Sequence, residues 1–325
     1  MTTAASERER LLVPVNLIVG GSERLLAEAK TSAAARVVLD LRKIHDAGRR
    51  LHRIVVELGG GGTASRPGAV RHELNNALNH VLGYSELLRE DAAAAPLVAD
   101  LARIAAAAQE LRSLVNLGLL PADALTLPDP PVAASISDAA PVESGSVLVV
   151  DDDPGNRDLI TRCLAPHGHE VLTMEHGRWA LEILESERVD VILLDLAMPE
   201  MNGYETLVRL KADPRLVEVP VVVVSGTDDL NVVVRCLKLG AEDFLPKPFD
   251  PVRLAARVAA CITRKRARER ELRDLADVGR LTAAAAAVED GTFAPAGLDP
   301  VAARTDDLGR LARVFQRLAR GAPTA

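Results

Sequence analysis

The segment Val147-Leu-Val-Val-Asp-Asp-Asp153 places four apolar residues directly before three carboxylates. Four further short apolar runs lie downstream of it, at 170–174, 191–195, 221–225 and 243–246. Segments with helical spacing separate these runs, at about 155–166, 177–187, 203–211 and 229–239, and another starts at 250. Apolar strands that alternate with helices predict a five-stranded parallel sheet with helices on both faces.

Polar side chains stand at, or just beyond, the ends of these predicted strands: Asp151, Asp152, Asp195, Ser225 and Lys247. Because the carboxyl ends of parallel strands form one edge, where ligands bind in such sheets, we expect these residues to converge. Clustered carboxylates repel each other unless a cation neutralises them, and oxygen ligands without thiolate or imidazole suit Mg²⁺. One carboxylate could then be the nucleophile of a phosphoryl transfer, with the lysine offsetting charge on the transferred group.

The segment 146–264 resembles the receiver domain of two-component response regulators. The resemblance is carried by four blocks in the expected order: Val149-Val-Asp-Asp-Asp-Pro154, Asp195-Leu-Ala-Met-Pro-Glu-Met-Asn-Gly203, Ser225 and Phe244-Leu-Pro-Lys-Pro-Phe249. It implies a flavodoxin-like α/β fold, and phosphorylation by a partner histidine kinase or phosphotransfer protein.

The resemblance also implies a role for each acidic residue. Asp195 is the expected phospho-acceptor, and Lys247 pairs with it and then with the phosphoryl group. Asp152 and Asp195 are expected to bind Mg²⁺ directly, together with the backbone carbonyl of Ala197. Asp151 is expected to act on the ion mainly through water.

Four other positions receive expectations from the same resemblance. Ser225 is the expected switch hydroxyl, and Phe244 is the aromatic side chain coupled to it. Ala197 and Thr227 occupy positions that tune the access of water, and both are small. Asp153 is expected to be an exposed neighbour of the site.

The N-terminal part contains an internal repeat, in which Asn16–Leu26 aligns with Asn79–Arg89 and Leu39–Ile44 aligns with Ala99–Ile104. Each copy has the apolar spacing of a helical hairpin, at about 7–58 and 68–120. A single hairpin cannot bury its apolar stripe, whereas two hairpins can form a four-helix bundle. We therefore expect one α-helical bundle over 1–120, followed by a Pro/Ala-rich linker over 121–145.

The second copy carries a histidine in a recognisable setting, Arg71-His-Glu-Leu-Asn-Asn76. It resembles the dimerisation and histidine-phosphotransfer (HisKA-like) region of sensor histidine kinases. The spacing places Asn76 on the face of His72 one helical turn away. A neutral imidazole can attack phosphorus, and the neighbouring Glu73 could orient the ring and accept its proton.

This resemblance has departures that leave alternatives open. Ala77 stands where the family usually has proline, and the first copy has Glu9 at the position of His72. The sequence contains no Asp-x-Gly-x-Gly run of an ATP-binding kinase domain, so ATP-dependent autophosphorylation is not expected. His72 is therefore either a phosphotransfer residue or part of a retained scaffold. The remaining histidines of this part, including His80, are expected at a surface or an interface.

The C-terminal segment 265–325 contains two helical stretches, Leu275–Gly291 and Asp306-Asp-Leu-Gly-Arg-Leu-Ala-Arg-Val-Phe-Gln-Arg-Leu318, joined by a connector. It resembles a HAMP signalling unit, which implies a homodimer through the tail or the bundle. A plain helical hairpin is the alternative.

Charge and composition indicate where the protein is located and what it can bind. The net charge of -7 removes the global positive field that general nucleic-acid binding needs. The three cysteines form no Cys-x-x-Cys pair, which predicts reduced thiols. No apolar stretch reaches the ~18 residues of a membrane span, and the N-terminus lacks the pattern of a signal peptide. We therefore expect a cytoplasmic protein that binds neither membrane nor nucleic acid.

Together these features predict a multidomain phosphorelay protein in which Mg²⁺-dependent phosphorylation of Asp195 switches association through the tail. Its enzymatic status stays open, because a receiver supports only aspartyl phosphorylation and self-dephosphorylation. One alternative is a histidine phosphotransferase or a split hybrid histidine kinase that uses His72. Another is a signalling scaffold with a degenerate bundle.

Overall fold

The computed structural model describes residues 3–32, 34–58, 67–115, 144–226, 230–290 and 292–321. The chain forms two compact units, Met1–Ile262 and Thr263–Ala325. Within the described residues, no helix combines the length and the apolar character needed to cross a membrane. Most of the predicted linker, 121–143, lies outside the described residues.

The first unit begins with a four-helix bundle. Its helices are α1 (Thr3–Ser32), α2 (Ala35–Leu58), α3 (Pro67–Glu90) and α4 (Val98–Leu114), and a short 3₁₀ helix, Ala92–Leu97, precedes α4. Each helix packs on two others in the ring α1–α2–α3–α4. The bundle (α1–α4) therefore joins two hairpins within one chain, as the repeat predicts.

The repeat explains the bundle core, because equivalent positions of the two copies are buried. Ile18 and Val81 are equivalent and fully buried, and so are the two serines one turn later, Ser22 and Ser85. The same holds for the second helix of each hairpin, where the buried pairs are Leu41 and Leu101, Ile44 and Ile104, Leu51 and Leu111, and Val55 and Val115. The apolar stripe of each hairpin is thus covered by the other hairpin.

A five-stranded parallel sheet follows, with the strand order β2-β1-β3-β4-β5. The strands are β1 (Ser146–Val150), β2 (Glu170–Met174), β3 (Val191–Leu194), β4 (Val221–Ser225) and β5 (Asp243–Pro246). The helices between and after them are α5 (Pro154–Leu164), α6 (Gly177–Ile183), α7 (Gly203–Ala212), α8 (Leu230–Lys238) and α9 (Pro251–Glu289). The predicted fold class is confirmed.

Alternate residues of the strands belong to two different apolar clusters. Val147, Val149 and Leu193 point into a cluster that contains α5 and the start of α9 and continues into the bundle core. Leu148, Val150 and Leu194 point into a second cluster with α6 and α7. The bundle and the α/β part (residues 144–262) of the first unit therefore share one continuous core.

The second unit contains the part of α9 from Thr263 onward, a 3₁₀ turn at Pro295–Leu298, α10 (Asp299–Ala302) and α11 (Asp307–Gly321). Its small core is formed by Leu281, Ala284, Leu298, Val301 and Ala312. Asp306 caps α11 by accepting a hydrogen bond from the Gly309 amide at 3.1 Å, and it also accepts from Arg304. Arg304 lowers the pKa of Asp306 to about 2.

Candidate functional site

The ladder of the sheet brings two aspartates and one lysine to a single edge. The Asp151 amide donates to the Met174 carbonyl, and the Asp195 amide donates to the Val150 carbonyl. The Lys247 amide donates to the Ser225 carbonyl, so the segment after β5 continues the pairing with β4. Three residues far apart in sequence are therefore placed by backbone bonds alone.

Lys247 lies between the two aspartates. Its Nζ donates to Asp195 Oδ2 at 2.6 Å and to Asp151 Oδ2 at 2.7 Å, and its side chain is fully buried. Burial by itself would lower the pKa of Lys247, but the two carboxylates outweigh it and raise the pKa above its ordinary value. The lysine is thus held charged against a pair of buried anions.

Burial and crowding of the acidic residues raise the pKa of two of them. Burial raises the pKa of Asp151 and of Asp152, and the charge of Asp195 raises both further. Asp151 is otherwise engaged, since it accepts from Lys247, from the Asp153 amide and from Asn156. Asp152 Oδ1 is buried and has no hydrogen-bond partner among the described residues. An unsatisfied carboxylate oxygen beside a second carboxylate fits a hard divalent cation.

The loop after Asp195 is closely wrapped around it. The Ala197 amide lies 3.3 Å from Asp195 Oδ1, and the Gly203 amide donates to the Leu196 carbonyl. A Cβ at Gly203 would lie 1.9 Å from the Asp195 carbonyl oxygen, so only glycine allows this approach. Asn202 then caps α7 by accepting from the Glu205 amide.

The expected switch residues flank the same edge. Ser225 is buried at the end of β4, and Phe244 is half-buried on β5. Thr227 lies outside the described residues. Gly226, directly after Ser225, offers its carbonyl oxygen to a side chain of the bundle, as described below.

The sequence predicts that Asp153 is an exposed neighbour of the site. This prediction is wrong. The Asp153 side chain is 15% exposed and caps α5 by accepting from the Gly155 amide at 2.7 Å. His80 Nε2 lies 3.4 Å from Asp153 Oδ1, and Arg50 NH1 lies 3.8 Å from Asp153 Oδ2. Burial would raise the pKa of Asp153, but hydrogen bonds and the positive charges around it lower the pKa below its ordinary range.

Three asparagines of α3 connect the bundle to the edge of the sheet. Asn75 Nδ2 donates to the Gly226 carbonyl at 2.8 Å. Asn79 donates to Asn156 Oδ1 at 2.9 Å, and its own Oδ1 accepts from the Phe249 amide at 3.1 Å. Because amides of one helix satisfy the loops after β4 and β5, the bundle sits directly on the candidate site.

Asn76 is the asparagine closest to the carboxylates. Its Oδ1 faces Asn156 Nδ2 at 3.3 Å and Lys247 Nζ at 3.5 Å. Since an ammonium group only donates, this orientation directs the Asn76 amide nitrogen toward His72 Nε2, 3.1 Å away. The Asn76 side chain therefore contacts the His72 ring through Nε2.

Charged and polar pairs also join the bundle to α5. Arg162 of α5 forms a two-bond pair with Asp40 of α2, with NH2 2.7 Å from Oδ2, and Asp40 is fully buried. Lys43 and the Tyr84 hydroxyl both donate to Asp158 Oδ2 at 2.6 Å. Burial and the hydrogen bond to Asp158 raise the pKa of Tyr84, which keeps the phenol neutral.

His72 of the bundle lies near the carboxylates of Asp152 and Asp195. One ring nitrogen of His72 and one carboxylate oxygen each of Asp152 and Asp195 lie within 4.8 Å of one another. Glu73 is exposed, and the contact to the His72 ring comes from Asn76. The structure thus brings His72 and Asn76 to the aspartates, whereas Glu73 points away from this group.

Sequence reasoning missed the bundle contact as a whole, although one signal was available. The two copies of the repeat differ where the contact forms. Asn75, Asn76 and Tyr84 of the second copy correspond to Leu12, Val13 and Gly21 of the first. These polar residues, found only in the second copy, indicate that α3 has a polar partner, although α2 of the first copy adds Asp40 and Lys43 to the same contact.

The α/β part of the chain is similar to known proteins. The model of the response regulator receiver domain matches residues 147–259. The two-component response regulator ORR3 of Oryza sativa subsp. indica is 43% identical over 106 residues, 32% of this chain and 81% of the relative. ORR5 of Oryza sativa subsp. japonica is 44% identical over 116 residues, 34% of this chain and 87% of the relative. The solved signal receiver domain of a Syntrophus aciditrophicus histidine kinase is 35% identical, with a TM-score of 0.35, and the match covers 37% of this chain and 91% of that one.

Proposed function

Because the chain belongs to the response regulator family through its receiver domain at 147–259, we propose that Asp195 accepts a phosphoryl group from a phosphohistidine. The buried triad of Asp151, Asp195 and Lys247 is the observation that supports this proposal. The donor is a partner histidine kinase or a phosphotransfer protein. The chemistry is two-component phosphorelay signalling.

In the proposed step, a carboxylate oxygen of Asp195 attacks phosphorus, so that the O–P bond forms and the N–P bond breaks. The electron pair of the N–P bond stays on the donor imidazole, which leaves neutral because its other nitrogen carries a proton. Lys247 stays beside Asp195 and stabilises the added charge.

Asp152, Asp195 and the carbonyl of Ala197 would hold Mg²⁺, and Asp151 would contribute through water. The unsatisfied Asp152 Oδ1 and the crowded carboxylates are consistent with this ligand set. When bound, the ion would offset negative charge on the transferred group.

The test is covalent labelling of the full chain with a small phosphodonor, acetyl phosphate, followed by peptide mapping. We expect one hydroxylamine-sensitive adduct on the peptide that contains Asp195, and we expect EDTA to reduce labelling to background. A stable adduct that maps elsewhere, or labelling that is indifferent to EDTA, would contradict the proposal.

A second activity is favoured by the position of His72. A ring nitrogen of His72 and an Asp195 oxygen lie within 4.8 Å of each other. An in-line transfer needs the donor and acceptor atoms close together, on opposite sides of one phosphorus. We therefore propose that phosphoryl groups pass between Asp195 and His72 within the chain.

In this step a ring nitrogen of His72 attacks phosphorus through its lone pair, so that the N–P bond forms, the O–P bond to Asp195 breaks, and Asp195 leaves as a carboxylate. The ring becomes positively charged and loses the proton on its other nitrogen to solvent. Asn76 contacts Nε2 of the ring and is a positioning residue.

We expect part of the label on Asp195 to reappear as base-stable, acid-labile phosphohistidine. His72→Gln should remove this fraction and leave the hydroxylamine-sensitive label intact. The control is His52→Gln, an exposed histidine on α2. Base-stable label that persists in His72→Gln would rule out this residue as the acceptor.

The tail of the second unit supports a further part of the proposal, association between copies. Several large apolar side chains of this unit are exposed: Leu272, Leu275, Val278, Leu311, Val314 and Leu318. We propose that a HAMP-like pairing of two tails covers them, and sedimentation equilibrium of the full chain measures this directly. A monomer at micromolar concentration would speak against it.

A further inference from the structure

Asp195, the proposed phospho-acceptor, is covered in this structure. Its side chain is 0% exposed, and so is that of Lys247. On the side of the bundle, Asn76 reaches Lys247 at 3.5 Å, and a ring nitrogen of His72 lies within 4.8 Å of Asp195. Among the described residues, the bundle therefore covers the side of the Asp195 carboxylate that His72 and Asn76 face.

The bundle packs on α5 and the edge of the sheet through apolar, charged and hydrogen-bonding residues. Buried apolar residues run without a break from α3 to Leu159 and Cys163 on α5. Around this core, Asp40 pairs with Arg162, and Lys43 and Tyr84 both bind Asp158. Three asparagines close the side that faces the carboxylates. Apolar contact, charge and hydrogen bonds all match along the same face.

We infer that this face of the receiver is an interaction surface for the chain's own bundle, contacted by α3 of the second hairpin and α2 of the first, and that the bundle competes with external phosphodonors for access to Asp195. The inference rests on the proposed function, because it concerns how the donor reaches Asp195. In the docked state a ring nitrogen of His72 lies within 4.8 Å of the Asp195 carboxylate. In the released state Asp195 is open to donors in solution or on another protein.

The observed rate with an external donor then depends on the fraction of released chains. When the reactive state is a minor population, the rate scales with that population. A change that weakens docking without touching the carboxylates should therefore accelerate labelling by external donors and slow transfer to His72.

The chain supplies such a change at Gly83. A Cβ at this position would lie 2.4 Å from Leu159 Cδ2 and 2.8 Å from Cδ1, and Leu159 is fully buried. Gly83→Val is thus a wedge between α3 and α5. Its matched control is Gly20→Val at the equivalent position of the first copy, where a Cβ would meet nothing within 4 Å.

The experiment uses the full chain with acetyl phosphate and Mg²⁺. Hydrogen exchange of the α5 amides reports docking, and the initial rate of hydroxylamine-sensitive labelling reports access. We expect Gly83→Val to increase exchange and to raise the rate about tenfold, a typical result of overpacking a tight contact. Gly20→Val should change neither. Adding Leu159→Ala to the wedge should restore docking and the slow rate.

Arg162→Glu provides a second release variant, because it places a carboxylate against buried Asp40. If either variant increases exchange at α5 while the labelling rate stays at the wild-type value, the competition is wrong and the phospho-acceptor assignment stands. If no variant is labelled at all, the proposed function itself fails. Docking that rises with protein concentration would show that the bundle comes from a second copy, and would overturn the inference.

Discussion

Asp195→Asn is expected to reduce covalent phosphate incorporation to background. The amide that replaces the carboxylate cannot act as the nucleophile, and among the described residues no second carboxylate bridges Lys247 and the Ala197 amide. The variant should still fold, since its side-chain oxygen can accept from Lys247 and Asp151 keeps its own pair with that lysine.

The substitution also removes one charge from a crowded group. The charge of Asp195 raises the pKa of Asp151 and Asp152, so both values should fall in the variant. The lost ion pair and the relieved repulsion act in opposite directions, and we expect the free energy of unfolding to change by less than about 2 kcal/mol.

The measurements are phosphate stoichiometry after labelling and denaturant unfolding of the same sample. Asp213→Asn is the matched control, because Asp213 lies just after α7 and pairs with Arg215. Its labelling should equal that of the wild type. Undiminished hydroxylamine-sensitive label in Asp195→Asn would remove Asp195 from the mechanism.

Lys247→Met is expected to lower the free energy of unfolding by about 3–5 kcal/mol at neutral pH, because it leaves two buried carboxylates without their cation. Asp151 and Asp195 are almost completely buried, and both accept from Lys247. Labelling should also fall sharply, since the charge that stabilises the transferred group is lost.

The pH dependence of this variant has a definite sign. Burial raises the pKa of Asp151, and removal of the Lys247 charge raises it further. The folded state then binds more protons than the unfolded state at pH values above the ordinary pKa of 3.8. Stability therefore falls as the pH rises through this range, and the deficit should shrink toward pH 4.

The wild type behaves differently at high pH. The pKa of Lys247 is raised, so its contribution to stability is fully present below the ordinary value of 10.5 and is lost as the pH rises through the folded pKa. Denaturant unfolding between pH 4 and 11 measures the first trend and the onset of the second, which begins above 10.5. Lys238→Met, at an exposed lysine of α8, is the control. A deficit in Lys247→Met that is independent of pH would contradict the charge argument.

The positions of Asp151, Asp195, Ser225 and Lys247 were predictable from sequence, because each directly follows or ends a short apolar strand. In a parallel sheet the strand ends share one edge, so local periodicity is enough to bring these residues together. The bundle was predictable for the same reason, since its repeat places apolar residues at helical spacing in both hairpins.

The roles of Asp153 and Tyr84 were not predictable in this way. Asp153 is one of three adjacent aspartates, and only the docked bundle distinguishes it by placing His80 and Arg50 beside it. Tyr84 binds Asp158, a residue 74 positions away. Such pairs depend on which helix faces cross, and no local pattern encodes that choice.

Sequence alone therefore determined the strands, the helices and the carboxylate edge, because periodicity and backbone pairing fix them locally. Tertiary structure alone decided that α2 and α3 dock on the receiver, that His72 comes within 4.8 Å of Asp195, and that the acceptor is covered. The physical reason is that docking depends on close fit, as at Gly83 against Leu159, and on pairing of single charges across the contact. Those terms exist only after both parts of the unit have folded.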